Sequence, residues 1–227
     1  MGNAVRKSGI PRDERFIVTK ISRTNSGEAK AEASFTESLK KLHTDYVDLL
    51  LVHQPFGDYY GTYRTMEKAL AEGRTRAIGV SNFYADRFHD LVCHNSIVPA
   101  IDQLETNVFS QQTSMRGLLE QTGTKVMAWG PMAQGKDGFF GHEILGRIGE
   151  KYGKTSTQVG LRFLVQQGIP AIPKTTRIER MRENFDIFDF RLDDEDMAEL
   201  MALNLHDAGT RDYTDLGYAS RIIAQTF

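Results

Sequence analysis

A lysine in FIVTKI (16–21), a histidine in YVDLLLVH (46–53) and a serine and asparagine in AIGVSN (77–82) each close a short apolar run, at Lys20, His53, Ser81 and Asn82. Three later runs end in the same way. AIDQLE (100–105) brings Gln103 and Glu105, KVMAWG (125–130) brings Trp129, and IPAIPKT (169–175) brings Lys174 with Thr175. Lysine and histidine are charge-bearing and proton-transferring types, and the amides both donate and accept hydrogen bonds. Each also has a plainer role: Lys20 as a solvated loop residue, His53 as a hydrogen-bonded structural residue, Asn82 and Gln103 as caps, and Trp129 as core. What favours a joint role is that all of them sit at strand ends.

Those ends lie together only if the strands run parallel. The six runs are too continuously apolar for a sheet with one face in water, and they alternate with segments of helical period, the mark of βαβ units. The helical segments are 29–42, 62–73, 84–95, 113–123 and 155–168, followed by 177–188 and 193–204. Thr155 and Gln158 have the spacing of a capping box, and Gly73, Gly123 and Gly168 fall where helices should stop. The tail from Leu205 onward has no clear period and reads as irregular. An open dinucleotide-binding sheet would carry a GxGxxG turn after its first strand, and none is present, so a parallel barrel is favoured. In such a barrel the chemistry gathers at the C-terminal ends of the strands.

Composition narrows the function classes. A chain of 227 residues with 40% hydrophobic content is long enough for one sizeable core, and a single domain over 1–227 is expected. Twenty-eight basic residues against 30 acidic ones give a net charge of −2, which offers no basic field for a phosphate backbone, so nucleic acid is not an expected partner. Cys93 is the one cysteine, which excludes an intramolecular disulfide and suits a reducing compartment. No apolar run approaches the roughly 18 residues that span a bilayer, and MGNAVRKSGI has no signal-peptide core. A cytoplasmic protein without a membrane or metal partner is expected.

Taken in order, FIVTK, LLLVHQP, AIGVSNF, PAIDQLE, MAWGPMAQG and IPKTTRIERMREN resemble the aldo-keto reductase family, over residues 1 to about 204. LVHQPFGDYYGTYRTMEKA is similar to the bacterial branch of 2,5-diketo-D-gluconate and small-dialdehyde reductases. The resemblance implies a (β/α)8 barrel that binds NADPH and reduces aldehydes or ketones to alcohols. It implies that Ser81, Asn82 and Gln103 hold the nicotinamide carboxamide and that Trp129, where the family usually has tyrosine, stacks on the ring. Gly130, Pro131, Met132 and Gln134 match the loop over the pyrophosphate. Lys174, Thr175, Thr176 and Arg180 match the holders of the 2′-phosphate, a dianion that calls for cations and hydroxyls, and Glu183 with Asn184 match residues near the adenine. On charge alone that basic stretch could equally be a solvated helix start.

Of four catalytic side chains, Lys20 matches the family's lysine and His53 its histidine; the aspartate and tyrosine belong to a segment preceding MGNAVRKSGIPRDE. Gln54 stands where many members have tryptophan and, with Trp129, is expected in the substrate pocket. Six strands of eight would leave open sheet edges able to self-associate. Three explanations stand in order: residues of a longer protein outside this sequence, a gap closed by another chain, or a true truncation with impaired or no activity. The alternative function is a catalytically inactive NADPH-binding module or a partner-bound redox-sensing subunit.

Overall fold

Leu49, Leu50 and Leu51 are fully buried and Val52 nearly so, which accounts for an uninterrupted apolar strand covered on both faces. In the computed structural model, which describes residues 2–205, 213 and 215–224, the elements alternate as the sequence predicts. The strands are β1 (Val18–Ile21), β2 (Leu49–Val52), β3 (Ile78–Ser81), β4 (Ile101–Glu105) and β5 (Lys125–Trp129), in the order β1-β2-β3-β4-β5. The helices are α1 (Gly2–Lys7), α2 (Glu28–Leu42), α3 (Tyr59–Ala71), α4 (Ala85–His94), α5 (Thr113–Thr122), α6 (Glu143–Tyr152), α7 (Ser156–Gln166), α8 (Ile178–Phe185), α9 (Asp194–Met201) and α10 (Leu216–Ala224). None of the described helices is long and apolar enough to cross a membrane.

Two compact units divide the chain: Met1–Asp102 with Thr122–Thr124 and Ala219–Phe227, and Gln103–Gln121 with Lys125–Tyr218. In the first, β1 pairs in parallel with β2, and β2 with β3. Ala31, Phe35, Leu39 and Leu42 form the buried stripe of α2, at the spacing that keeps one helix face inward. Each fully buried side chain of this size contributes roughly 2 kcal/mol of burial. Beneath the sheet, Asp48, only 2% exposed, accepts from the Ile17 N–H and pairs with Arg12 and Arg76. A buried carboxylate so paired anchors the N-terminal end of β2. Gly79 has a structural reason: a Cβ there would stand 2.3 Å from the Ile101 carbonyl oxygen, so only glycine lets β3 and the start of β4 approach.

In the second unit the capping box predicted at Thr155 and Gln158 is present at the start of α7, and Asp193 with Asp196 make another at α9. Phe109, Phe139, Phe163, Leu145, Ile148 and Leu164 are buried in its core. Gly168 adopts positive φ after α7, as Gly73 after α3 and Gly123 after α5 do in the first unit.

Three expectations are corrected. The sixth run, 169–175, makes a single parallel bridge from Ala171 to Ala128 instead of a strand, because Pro170 and Pro173 have no N–H for a ladder. The tail is not wholly irregular: 216–224 is helical, while 206–212, 214 and 225–227 lie outside the described residues. An unpredicted helix, α6, carries Gly146 and Gly149 in its interior, which weaken the helical signal.

Candidate active site

Parallel register decides which side chains share a face. Lys20 is level with Leu51, and Leu51 with Gly79, so these three point the same way. Two residues further along the same face come His53 and Ser81. The His53 N–H donates to the Ile21 carbonyl at 3.0 Å, extending the β1–β2 pairing past the named strand. The first unit therefore brings Lys20, His53 and Ser81 to one face at the strand ends, as the sequence requires.

Electrostatics distinguish Lys20 from a solvated lysine. Burial lowers its pKa from the ordinary 10.5 to about 8, because an ammonium loses hydration there. The predicted loop alternative for Lys20 therefore gives way to a half-buried cation within β1. Ser81 is fully buried, and Asn82 is 4% exposed with φ of 64°, a left-handed conformation that asparagine tolerates better than most residues. Its side chain donates to the His53 carbonyl at 3.1 Å and to Ser81 Oγ at 3.0 Å. Gln54 follows His53 and is 7% exposed, with Oε1 sealed from water.

In the second unit Gln103 Nε2 lies 3.0 Å from Met127 Sδ, so it faces the same side of the sheet as Met127 and Trp129. Trp129 ends β5, and its carbonyl accepts from the Thr106 N–H at 3.1 Å. The neighbouring Gly130 carbonyl accepts from Asn107 Nδ2 at 3.2 Å. A cavity of about 460 Å³ begins at this strand end, lined by Trp129, Gly130, Pro131, Met132, Gln134 and Lys174 together with Gly135, Phe140 and Ile172. A second cavity of about 310 Å³ is lined by Lys174, Thr175, Arg180, Glu183 and Asn184 with Met132, Phe140 and Thr157. Met132, Phe140 and Lys174 belong to both, so the two adjoin. Thr155 Oγ1 donates to Glu183 at 2.6 Å and so orients that carboxylate from the cap of α7. Thr176 is exposed and lines neither cavity.

The second unit thus collects ten of the expected residues around two joined hollows, with an indole at one end and Lys174, Thr175 and Arg180 at the other. A flat aromatic face suits a planar ring, and paired cations with a hydroxyl suit a phosphate. Sequence reasoning missed Phe140, Thr157 and Asn107. Of these, only Phe140 carried a signal, as a bulky residue in the glycine-rich stretch GKDGFFG. It also missed Asp102, fully buried on β4, whose two carboxyl oxygens find no well-formed hydrogen bond among the described residues.

Comparison with known proteins bears on this arrangement. Glyoxal reductase of Bacillus subtilis (strain 168) is 38% identical over 205 residues, covering 90% of this chain and 74% of that protein. An aldo-keto reductase from a Medee basin deep-sea metagenome library superposes with a TM-score of 0.91 at 34% identity, covering 95% of this chain and 80% of the other. A Bombyx mori aldo-keto reductase solved in complex with NADP gives a TM-score of 0.83 at 32% identity, over 94% of this chain and 76% of that one. The model of the Aldo/keto reductase family matches residues 1–137 and 141–205. With that match running through both the lysine–histidine face and the joined cavities, the chain belongs to the aldo/keto reductase family.

Proposed function

We propose that this protein is an NADPH-dependent oxidoreductase that reduces small aldehydes or ketones to alcohols, of the bacterial 2,5-diketo-D-gluconate reductase-like branch, with 1–227 acting as one barrel domain. The observation that carries the reading is the pair of joined cavities running from Trp129 to Lys174 and Arg180. Their lining fits a phosphorylated dinucleotide: an indole face, a loop with Gly130 at φ of 61° and Gln134 at 55°, then two cations beside Thr175. The Bombyx mori relative in complex with NADP supports the choice of cofactor.

Bound NADPH would supply the hydride that converts a carbonyl to an alcohol. Ser81, Asn82 and Gln103 offer the donors and acceptors that fix a carboxamide in plane. Trp129 holds the ring from one face, and Lys174, Thr175 and Arg180 hold the 2′-phosphate, with Glu183 and Asn184 at the adenine. Lys20 Nζ keeps its proton at neutral pH, since a pKa of about 8 is still above 7, and supplies positive charge where oxygen becomes negative. A neutral His53 donates to the same oxygen and orients it.

Lys20 and His53 are the groups of this chain assigned to the reacting carbonyl, and NADPH oxidation with methylglyoxal is the assay of that reduction. The second reading, an NADPH-binding module without turnover, predicts binding with no oxidation in the same assay. Titration with NADPH should release heat and quench Trp129, the single tryptophan; folded protein giving neither result ends both readings. Turnover at the level of a full-length relative would remove the second. A cytoplasmic setting agrees with the lone Cys93, and self-association through the edge of β1 is checked by sedimentation.

A further inference from the structure

Helix α8 turns an apolar stripe to solvent. Ile178, Met181 and Phe185 fall at i, i+3 and i+7, and all three are more than half exposed, Phe185 by 76%. No residue of this helix is buried. The helix is not free to roll the stripe inward, because Thr155 Oγ1 donates to Glu183 at 2.6 Å and Gln158 Nε2 donates to the Asp186 carbonyl at 2.7 Å. The stripe lines a groove of about 780 Å³ together with Leu161 and Val165 of α7 and with Phe188. A contiguous apolar surface of this kind marks a place where another molecule docks.

We infer that a second copy of this chain docks in the groove, the two α8 helices crossing antiparallel about a two-fold axis. Charge decides the occupant. Arg182 lines the groove, and Glu179 stands one turn before it on the same flank of the stripe. Both are exposed, and neither makes an ion pair with a described residue. In an antiparallel helix pair the side chains of one flank meet those of the same flank, so Glu179 of each copy faces Arg182 of the other and both pairs close together. A two-fold contact needs a surface complementary to itself, and an apolar stripe bordered by one free acid and one free base meets that condition. Arg180 and Glu183 of the same helix line the cofactor cavity and not the groove, so the contact does not depend on what that cavity binds.

Sedimentation equilibrium of the whole chain over a range of concentrations tests this, with circular dichroism showing that each variant is folded. A monomer–dimer equilibrium is expected. Phe185→Asp, which sets a charge in the stripe, should weaken it about a hundredfold. Glu179→Arg and Arg182→Glu each turn the cross-pairs into like-charge contacts and should weaken it about tenfold, and the double reversal should restore the parent's association. A monomer at every concentration overturns the inference and gives the groove to another occupant, such as a further stretch of polypeptide. A dimer that none of these variants changes overturns it too, and places the contact elsewhere, as at the edge of β1. A double reversal as weak as the single ones overturns the two-fold crossing.

Discussion

The side-chain amide of Asn82 donates to the main-chain carbonyl of His53 at 3.1 Å, tying the end of β3 to the residue after β2. The same amide reaches Ser81 Oγ at 3.0 Å, and the backbone of Asn82 is left-handed at φ of 64°. Asparagine thus serves two purposes: its side chain closes the strand ends and its backbone accepts the turn. Asn82→Ala should cost about 2 kcal/mol, roughly half from the lost hydrogen bond and half from the strained backbone. Asn82→Gly should cost only the first part. Urea unfolding of both variants checks this, and equal losses would show that the left-handed turn carries no strain.

Lys20 makes stability depend on pH in alkaline solution. Burial lowers its pKa from 10.5 to about 8, so between those values the folded chain has released a proton that the unfolded chain still holds. The burial penalty on the charged form is therefore fully present below pH 8 and is relieved as pH rises towards 10.5. Lys20→Met removes the penalty and should be more stable than the parent by on the order of 2 kcal/mol at neutral pH. The two proteins should converge near pH 10.5. Thermal melts across this range check the crossing, and a constant difference would mean that Lys20 is not held in a desolvated position.

The polar strand ends were legible because parallel strands bury continuous apolar runs and turn polar only where they leave the core. That rule located Lys20, His53, Ser81 and Trp129 without coordinates. It failed at 169–175, where apolar composition suggested a strand and two prolines removed the donors that a ladder needs. It also missed α6. A Cβ on Gly149 would stand 2.4 Å from the Lys154 carbonyl oxygen, so glycine is imposed there by a neighbouring segment and not by the helix itself. The unpaired Gln54 Oε1 and the buried Asp102 carboxyl were beyond reach for another reason: how well a buried polar atom is satisfied depends on residues distant in sequence, which no local pattern records.

Asp102 acts in the opposite pH range from Lys20. It is fully buried, and burial pushes its carboxyl well above the usual 3.8, with the Phe83 N–H offsetting only part of that effect. A raised acid pKa means the folded chain keeps a proton that the unfolded chain releases, so the stability is fully present below pH 3.8 and is lost as pH rises towards the folded value. Asp102→Asn, neutral at every pH, should abolish this decline and exceed the parent at pH 7 by about 1–3 kcal/mol. Unfolding at acid and neutral pH measures the slope, and a variant as pH-dependent as the parent would exonerate Asp102.

Arg180 separates the cofactor reading from a solvated basic helix start. It lies in the first turn of α8 and lines the cavity that also contains Lys174, Thr175 and Asn184. If that cavity takes the 2′-phosphate, Arg180→Ala removes a charge-assisted hydrogen bond worth about 1.5–3 kcal/mol, so NADPH affinity should fall roughly 10- to 100-fold. NADH lacks the 2′-phosphate and should bind the variant and the parent alike. Added salt should weaken NADPH more in the parent, since a partly exposed ion pair is screened. Calorimetric titration with both dinucleotides measures these differences; equal losses, or none, would return Arg180 to the solvated surface.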